Sequence, residues 1–201
     1  MRFVGMLFGV FLSLGVAMTP AVPALVAAKG LPPIGPPTIG PNGLHFQPWF
    51  KKTTGDLRRD LFAAKGEGKV MVLLWEQEGC VYCKKMHEIT FRIPEIVDYI
   101  KKNFYVMQMD MRGKRRFTDL KGKAVAESKL ARELRITGTP TSQFLNSEGR
   151  EIFRMPGYAE PVIFNGVYEY VANEGYKTAP LGAWLKEHFT KKAGGTEKTV
   201  N

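Results

Sequence analysis

Short runs of apolar residues, bounded by glycine or by polar residues, predict the strands of this chain. Two of them, "KVMVLLWEQ" at 69–77 and "FYVMQMD" at 104–110, have the length and composition of buried strands. A longer segment, "TGTPTSQFLNSEGREIFRMPG" at 137–157, has two such runs separated by turn residues at 147–149. This segment therefore predicts a β-hairpin.

Apolar residues at spacings of three and four predict helices in the remaining segments. The first helix is expected within 47–68, where Asp56 is a candidate cap and Leu57, Leu61 and Phe62 share one face. Further helices are predicted at 80–91, 94–103, 124–134, 164–171 and 181–188.

The order of these elements predicts the fold class. A strand–helix–strand half precedes a hairpin–helix half, which indicates an α/β protein with a mixed central β-sheet and helices on both faces. Cys80 and Cys83, the two cysteines of the chain, follow the first strand directly, at a strand-to-helix turn. Ligand chemistry in α/β proteins collects at the carboxyl ends of the strands, so this pair is the first candidate site.

Changes in composition divide the chain into four parts. Residues 1–28 are apolar and end in small residues, and residues 29–44 are rich in proline and glycine. We interpret the first part as a signal peptide and the second as a mobile linker. The folded domain is expected at 45–190, followed by a disordered tail at 191–201.

The amino-terminal segment predicts export. Arg2 is its one charge, an apolar run follows, and the small residues near Ala24 and Ala28 suit a cleavage site. If the segment is not cleaved, it would tether the protein to a membrane. In both cases we expect a periplasmic location, where no glutathione pool keeps the two thiols reduced.

The chain is basic, with a formal net charge of +10 and a pI near 9.6. The basic residues are scattered and no nucleic-acid-binding module accompanies them, so nucleic acid is not expected as a partner. The exception is "RGKRRFTDLKGK" at 112–123, which has six basic residues and one acid, Asp119. This segment has two interpretations, a solvated surface loop or a docking surface for an acidic partner.

Four interpretations of the cysteine pair make different demands on the chain. A disulfide across so short a loop removes little entropy from the unfolded chain and would stabilise the fold little. Covalent haem requires histidine at the position of Lys84. Zinc requires four ligands, and we interpret the nearest histidine, His87, as a solvated helix residue, so no metal is expected. A redox-active pair is the interpretation that the context favours.

The predicted helix assigns different roles to the two sulfurs. Unpaired N–H groups at a helix amino terminus favour a thiolate, so Cys80 is expected to attack and Cys83, one turn inside, to resolve the mixed disulfide. Glu76 lies at the end of the preceding strand. Its carboxylate is either a proton relay to Cys83 or a solvated acid, and the pattern leaves both interpretations open.

These residues resemble the thioredoxin superfamily. The resemblance rests on the strand "VMVLLW", the motif "CVYCKK" and the downstream segment "GTPTSQF". It implies a thioredoxin fold and thiol–disulfide exchange without an organic cofactor or a metal. It also implies that Thr139 and Pro140, with the proline cis, face the disulfide. Together with Val81 and Tyr82 between the cysteines, they would form the substrate-binding surface.

Within the superfamily, the chain is most similar to the exported thioredoxins encoded with sulfur-oxidation systems, the SoxW type. The similarity is carried by "EQEGCVYCKKMHE", "MDMRGKRRFTDL" and "RMPGYAEPVIFNGVYEYVANEGYKT". It departs from thioredoxins proper in having Val81–Tyr82 in place of glycine–proline, and Leu74 where they have a buried aspartate.

The resemblance implies an exported, soluble, monomeric reductant. Its electrons would come from a membrane dithiol donor and go to a cysteine-containing exported protein. A disulfide isomerase or oxidase, and a thioredoxin-like binding module without turnover, are the alternative functions.

Overall fold

The computed structural model of the protein describes residues 31–196, with side chains up to residue 192. The strands are β1 (Thr38–Ile39), β2 (His45–Phe46), β3 (Val70–Glu76), β4 (Phe104–Asp110), β5 (Arg116–Thr118), β6 (Ala124–Ala126), β7 (Thr141–Leu145) and β8 (Glu151–Pro156). The helices are α1 (Leu57–Gly66), α2 (Val81–Glu88), α3 (Pro94–Asn103), α4 (Glu127–Glu133), α5 (Pro161–Ala172) and α6 (Leu181–Thr196).

The central sheet has the strand order β4–β3–β7–β8. β3 runs parallel to β4 and antiparallel to β7, which in turn pairs antiparallel with β8 as the predicted hairpin. In this register Glu76 lies opposite Asp110, and Trp75 lies opposite Thr141. The carboxyl ends of β3 and β4 and the start of β7 therefore meet at one edge of the sheet.

Both faces of the sheet are covered by helices, which explains the continuous apolar run of β3. Val72 and Leu74 pack into one core cluster with residues of α2, α3 and α5. Met71, Leu73 and Trp75 point to the other face and pack with residues of α1 and α4. The predicted α/β class and mixed sheet are confirmed.

The first predicted helix is shorter than expected. Asp56 caps α1 by accepting a hydrogen bond from the Arg58 N–H group, as the pattern predicts, but residues 47–55 are not helical. The buried carboxylate of Asp60 accepts hydrogen bonds from the Thr53 hydroxyl and the Thr54 N–H group, which holds these residues in a turn. Leu57 is buried whereas Phe62 is 77% exposed, so the prediction that they share one face was wrong.

The predicted linker is wrong for the residues that the structure describes. β1 and β2 pair as an antiparallel ribbon, and Leu44 between them is buried. The Arg92 guanidinium donates a hydrogen bond to the Ile34 carbonyl at 2.7 Å. The packed part of the chain therefore begins before His45, because apolar residues among the prolines contact the domain.

The predicted boundaries at the two ends of the chain can be compared with the structure only within the described residues. The predicted signal peptide, 1–28, lies outside the described residues, as do residues 197–201. α6 continues to Thr196, six residues into the predicted disordered tail. Among the described residues, none of the helices has the length and hydrophobicity needed to cross a membrane.

The basic segment 112–123 is held in a defined conformation by strand pairing and by hydrogen bonds to an acidic side chain. It contains β5, which pairs with β6 in a hairpin, so the helix predicted at 124–134 begins only at Glu127. Asp119 is buried and accepts hydrogen bonds from the N–H groups of Lys121 and Lys123, which fixes the turn. The hairpin is therefore an ordered part of the domain.

Candidate active site

The two cysteines form a disulfide at the amino terminus of α2, with their Cα atoms 5.2 Å apart. Cys80 is the N-cap residue, and its Sγ accepts a hydrogen bond from the Cys83 N–H group at 3.0 Å. Gly79 precedes it with φ at +73°, a backbone conformation that favours glycine. The turn at Gly79 and the start of α2 together place Cys80 at a helix amino terminus, where the helix dipole favours a thiolate.

The two cysteines differ in their exposure to solvent. Cys80 is partly exposed, whereas Cys83 is 2% exposed and belongs to the buried face of α2. A partner sulfur can therefore approach Cys80 but not Cys83. Val81 and Tyr82, the two residues between them, are 74% and 60% exposed. They present apolar surface beside the reachable sulfur.

Thr139 and Pro140 lie at the same edge of the sheet as the cysteines. They directly precede β7, whose first residue, Thr141, pairs with Trp75 near the end of β3. The Thr139–Pro140 peptide bond is cis, and the Pro140 carbonyl accepts a hydrogen bond from the Gly157 N–H group at 2.7 Å. The buried Thr139 hydroxyl has no hydrogen-bond partner among the described residues.

An aromatic residue that sequence reasoning missed lies beside Tyr82. The ring of Tyr158 stacks on it with centroids 6.4 Å apart and an interplanar angle of 17°. Lys85 lies over the Tyr158 ring and forms an ion pair with Glu160 at 2.7 Å. The hydrogen bond from Lys85 to Glu160 raises the pKa of Lys85. These contacts join the exposed side of α2 to the segment that leads into α5.

Glu76 is buried at the end of β3, with 1% of its surface exposed. Its Oε1 lies 2.8 Å from Nε2 of His87, and its Oε2 accepts a hydrogen bond from the Gln108 amide. Of the two interpretations of Glu76, the solvated acid is therefore wrong.

His87 corrects another prediction. It is fully buried rather than solvated, and besides Glu76 it contacts the Gln47 amide nitrogen, 3.3 Å from Nδ1. Within the part of the chain that the structure describes, no three histidine, cysteine or acidic side chains are grouped to hold a metal. One signal in the sequence was available: His87 lies four residues after Cys83, so both occupy one helix face.

His45 completes the surroundings of this pair. Its ring centroid lies 5.6 Å from that of His87, and its backbone carbonyl accepts a hydrogen bond from the Gln108 amide. Burial, followed by the proximity of His87, lowers the pKa of His45. Gln47 and Gln108 were not predicted, because nothing in a single sequence indicates which polar residues will meet a buried acid.

A family model describing a thioredoxin-like domain matches residues 57–172, more than half of the chain. The chain belongs to this family. No curated protein matches it. The thioredoxin-like domain thus contains the disulfide, Glu76 and Pro140, and the described structure extends beyond it at both ends.

The likeness to a solved structure supports the thioredoxin fold, and other solved structures are similar in sequence. A thioredoxin-fold protein from Helicobacter pylori is 22% identical, with a TM-score of 0.54, covering 61% of this chain and 85% of that one. A putative disulphide-isomerase from Bacteroides thetaiotaomicron is 21% identical over 60% of this chain and 89% of that one, with a TM-score of 0.49. The oxidised DsbD C-terminal domain of Neisseria meningitidis is 22% identical over 60% of this chain and 96% of that one, with a TM-score of 0.42.

The thioredoxin-like domain departs from the thioredoxin pattern beneath its disulfide. Leu74, at the position of the buried aspartate of thioredoxins proper, is fully buried in the apolar core. Glu76 lies two residues further along β3, and the side chains of alternate residues share a face of a strand. The buried acid of this strand is therefore Glu76, and it is paired with a histidine.

Proposed function

We propose that this thioredoxin-like protein is an exported thiol–disulfide oxidoreductase whose reactive group is the Cys80–Cys83 pair. The observation that carries the proposal is the unequal exposure of the two sulfurs at a helix amino terminus. Attack needs an accessible thiolate, and resolution needs a second thiol that competing sulfurs cannot reach.

In the proposed reaction the reduced protein donates two electrons. The Cys80 thiolate attacks a disulfide of the partner, and one partner sulfur leaves as a thiolate. Cys83 then loses its proton and attacks Cys80 Sγ, which forms the observed disulfide and releases the second partner sulfur. Glu76 is the buried group proposed to help remove the Cys83 proton. The reaction requires no organic cofactor and no metal.

We further propose that the protein is a SoxW-type reductant in the periplasm, supplied with electrons by a membrane dithiol donor. The three segments of sequence similarity support this assignment. The partner is a cysteine-containing exported protein, which docks on the apolar surface formed by Val81, Tyr82 and Tyr158. A monomer suffices for this chemistry, since both cysteines lie on one helix turn.

The charge of the basic hairpin supports the proposal that the partner docks through an acidic surface. Its start, at Arg112, follows β4 at the same sheet edge that carries Cys80. Among the described residues, no ion pair involves Arg112, Lys114, Arg116 or Lys121. Positive charge without an ion-pair partner at this edge of the sheet would accelerate the approach of an acidic partner.

The equilibrium reduction potential of the pair tests the direction of electron flow. The protein would be equilibrated in dithiothreitol redox buffers, and the free thiols would be trapped and counted. A potential of about −270 mV, the value for thioredoxin, supports a reductant. A potential of about −120 mV overturns that direction in favour of an oxidase. A Cys80→Ser variant that retained full disulfide-reducing activity would contradict the oxidoreductase proposal itself.

A further inference from the structure

A cavity lies between the β1–β2 ribbon and the outer edge of β4, the edge that does not pair with β3. Its volume is about 730 Å³, within the range of about 300–1,000 Å³ that is typical of small-molecule sites. The walls come from the ribbon, from residues 50–53 and from Gln108 and Arg115. The lining includes neither cysteine and no residue of the Thr139–Pro140 step, so the cavity is separate from the candidate active site.

Hydrogen bonds hold the walls of the cavity in place. The Lys51 N–H group donates to the Val106 carbonyl on β4 at 2.8 Å, and the Gln108 amide donates to the His45 carbonyl on β2 at 2.5 Å. The Arg115 guanidinium donates to the Gln108 carbonyl at 3.2 Å. The cavity is therefore already formed in the free protein, and a ligand would not have to order its walls.

Most of the cavity wall precedes the part of the chain that matches the family model. That match begins at residue 57, whereas the ribbon and residues 50–53 come before it. Of the lining residues that the structure describes, Gln108 and Arg115 alone lie within the matched range. The cavity is therefore built by the amino-terminal extension of this chain against the family domain.

The charged residues of the cavity wall favour an anion. Among the lining residues that the structure describes, the charged ones are all basic: Lys51, Lys52 and Arg115. Lys51 shares its acidic partner, since Glu67 pairs at 2.7 Å with both Lys51 and Lys69. Arg115 pairs with the buried Glu127. A wall of one sign of charge raises the local concentration of small ions of the opposite sign.

Lys52 provides the positive charge that a ligand can use. Its side chain is exposed, and it forms no ion pair within residues 31–192. The carboxylate of Asp60, which lies behind this wall, is occupied by hydrogen bonds from the Thr53 hydroxyl and the Thr54 N–H group. An acidic group of a ligand could therefore pair with Lys52 without displacing a carboxylate of the described chain.

Apolar surface in the cavity favours a ligand with an apolar body. Ile39 on β1 is 61% exposed, and Phe46 on β2 is partly exposed. Phe50 extends this surface, because its ring meets that of Phe46 edge-on with the centroids 6.0 Å apart. A ligand that covered these side chains would gain from removing their surface from water.

We propose that this cavity binds a small organic anion, whose acidic group pairs with Lys52 and whose apolar body covers Ile39 and Phe46. The volume of the cavity favours a small molecule over a protein, since a specific protein–protein interface buries about 800 Å² on each partner. This site does not depend on the proposed oxidoreductase function.

Anilinonaphthalene sulfonate is a suitable probe, because it joins a sulfonate to an apolar ring system and its fluorescence increases in apolar surroundings. Titration of the full chain with this probe should show one site per chain. At low ionic strength, Lys52→Ser should weaken binding about fivefold or more, and Lys52→Arg, which keeps the charge, less than about twofold. Phenylnaphthylamine has the same rings without the sulfonate, and it should bind wild type and Lys52→Ser equally.

Matched variants separate the cavity from other charged and apolar surfaces. Ile39→Ser should weaken binding of the sulfonate probe about threefold or more. Val162→Ser is its control, since Val162 is 66% exposed but lies on α5. Lys102→Ser is the control for Lys52→Ser, since it removes the same charge from an exposed position on α3. Both controls should bind the probe as wild type does.

Competition distinguishes a small anion from an acidic protein partner. Decanoate, a carboxylate with an apolar chain, should displace the probe, whereas a hexaglutamate peptide should not. Displacement by hexaglutamate alone would overturn the proposal in favour of a protein contact. Binding that is unchanged in folded Lys52→Ser or Ile39→Ser, equal weakening in the two controls, or no binding by wild type would also overturn it.

Discussion

Arg115 and Glu127 form an ion pair that anchors the basic hairpin to the domain. The Nε of Arg115 donates to Oε2 of Glu127 at 2.9 Å, and the Asp110 N–H group donates to Oε1 of the same carboxylate at 2.7 Å. Glu127 is fully buried, whereas the Arg115 side chain is 47% exposed. Arg115 is therefore a structural residue, unlike its neighbour Arg116, which forms no ion pair among the described residues.

This difference predicts unequal effects of two arginine substitutions on stability. Arg115→Ser leaves the buried Glu127 carboxylate without its cation, so we expect a loss of about 2 kcal/mol or more in the free energy of unfolding. Arg116→Ser should change that free energy by less than about 0.5 kcal/mol. Urea unfolding of both variants measures the difference, and equal stabilities would show that the Arg115–Glu127 pair contributes nothing.

The hairpin should also control association with acidic partners. Replacement of Lys114 and Arg116 by serine should slow reduction of an acidic disulfide-bonded peptide at low ionic strength, by about threefold or more. The difference from wild type should shrink as salt screens the charges.

A neutral peptide and a distant charge pair provide the controls for this prediction. The neutral peptide should be reduced at the same rate by both proteins. Lys101→Ser/Lys102→Ser removes two positive charges at the carboxyl end of α3, just before β4 begins and hence at the opposite edge of the sheet. If this control slows the acidic peptide equally, net charge rather than the hairpin is responsible.

The two cysteines should differ in the intermediates that their variants trap. Cys83→Ser leaves the attacking sulfur but removes the resolving one, so a mixed disulfide with a test protein such as insulin should accumulate. Cys80→Ser should trap none, because Cys83 is buried. Non-reducing electrophoresis distinguishes the two variants, and trapping by Cys80→Ser in place of Cys83→Ser would reverse the assigned roles.

Acid should loosen α6 through Glu169. Burial raises the pKa of Glu169, but hydrogen bonds from Lys192 and His188 outweigh burial and hold it below its ordinary value. A lowered pKa in the folded state stabilises the fold above the ordinary carboxyl value of about 4.3. That stabilisation is lost as the pH falls through the lowered value.

Trp184 reports this transition, because its ring stacks on His188 with centroids 4.4 Å apart. Its fluorescence should change below about pH 4, and Glu169→Gln should remove that change. Trp184→Phe identifies the contribution of this indole to the signal. An acid transition that persists unchanged in Glu169→Gln would assign it to other carboxylates.

Local patterns in the sequence determined the strands of the sheet, the hairpin and the place of the cysteines. An apolar run such as 70–75 must be covered on both faces in any fold. The residue at which the following helix starts is its N-cap. Cys80 and Cys83 could therefore be assigned to a strand-to-helix turn before the structure was known.

Tertiary structure alone decided the state of the buried polar residues. Glu76, His87, Gln47 and Gln108 come from four separate segments, and only packing brings them to one place. A buried acid must find hydrogen-bond donors, but its sequence does not say which donors are within reach. The same holds for Asp60, whose hydrogen bonds replaced the start of a predicted helix, and for Glu127, whose burial gave Arg115 a structural role and left Arg116 to solvent.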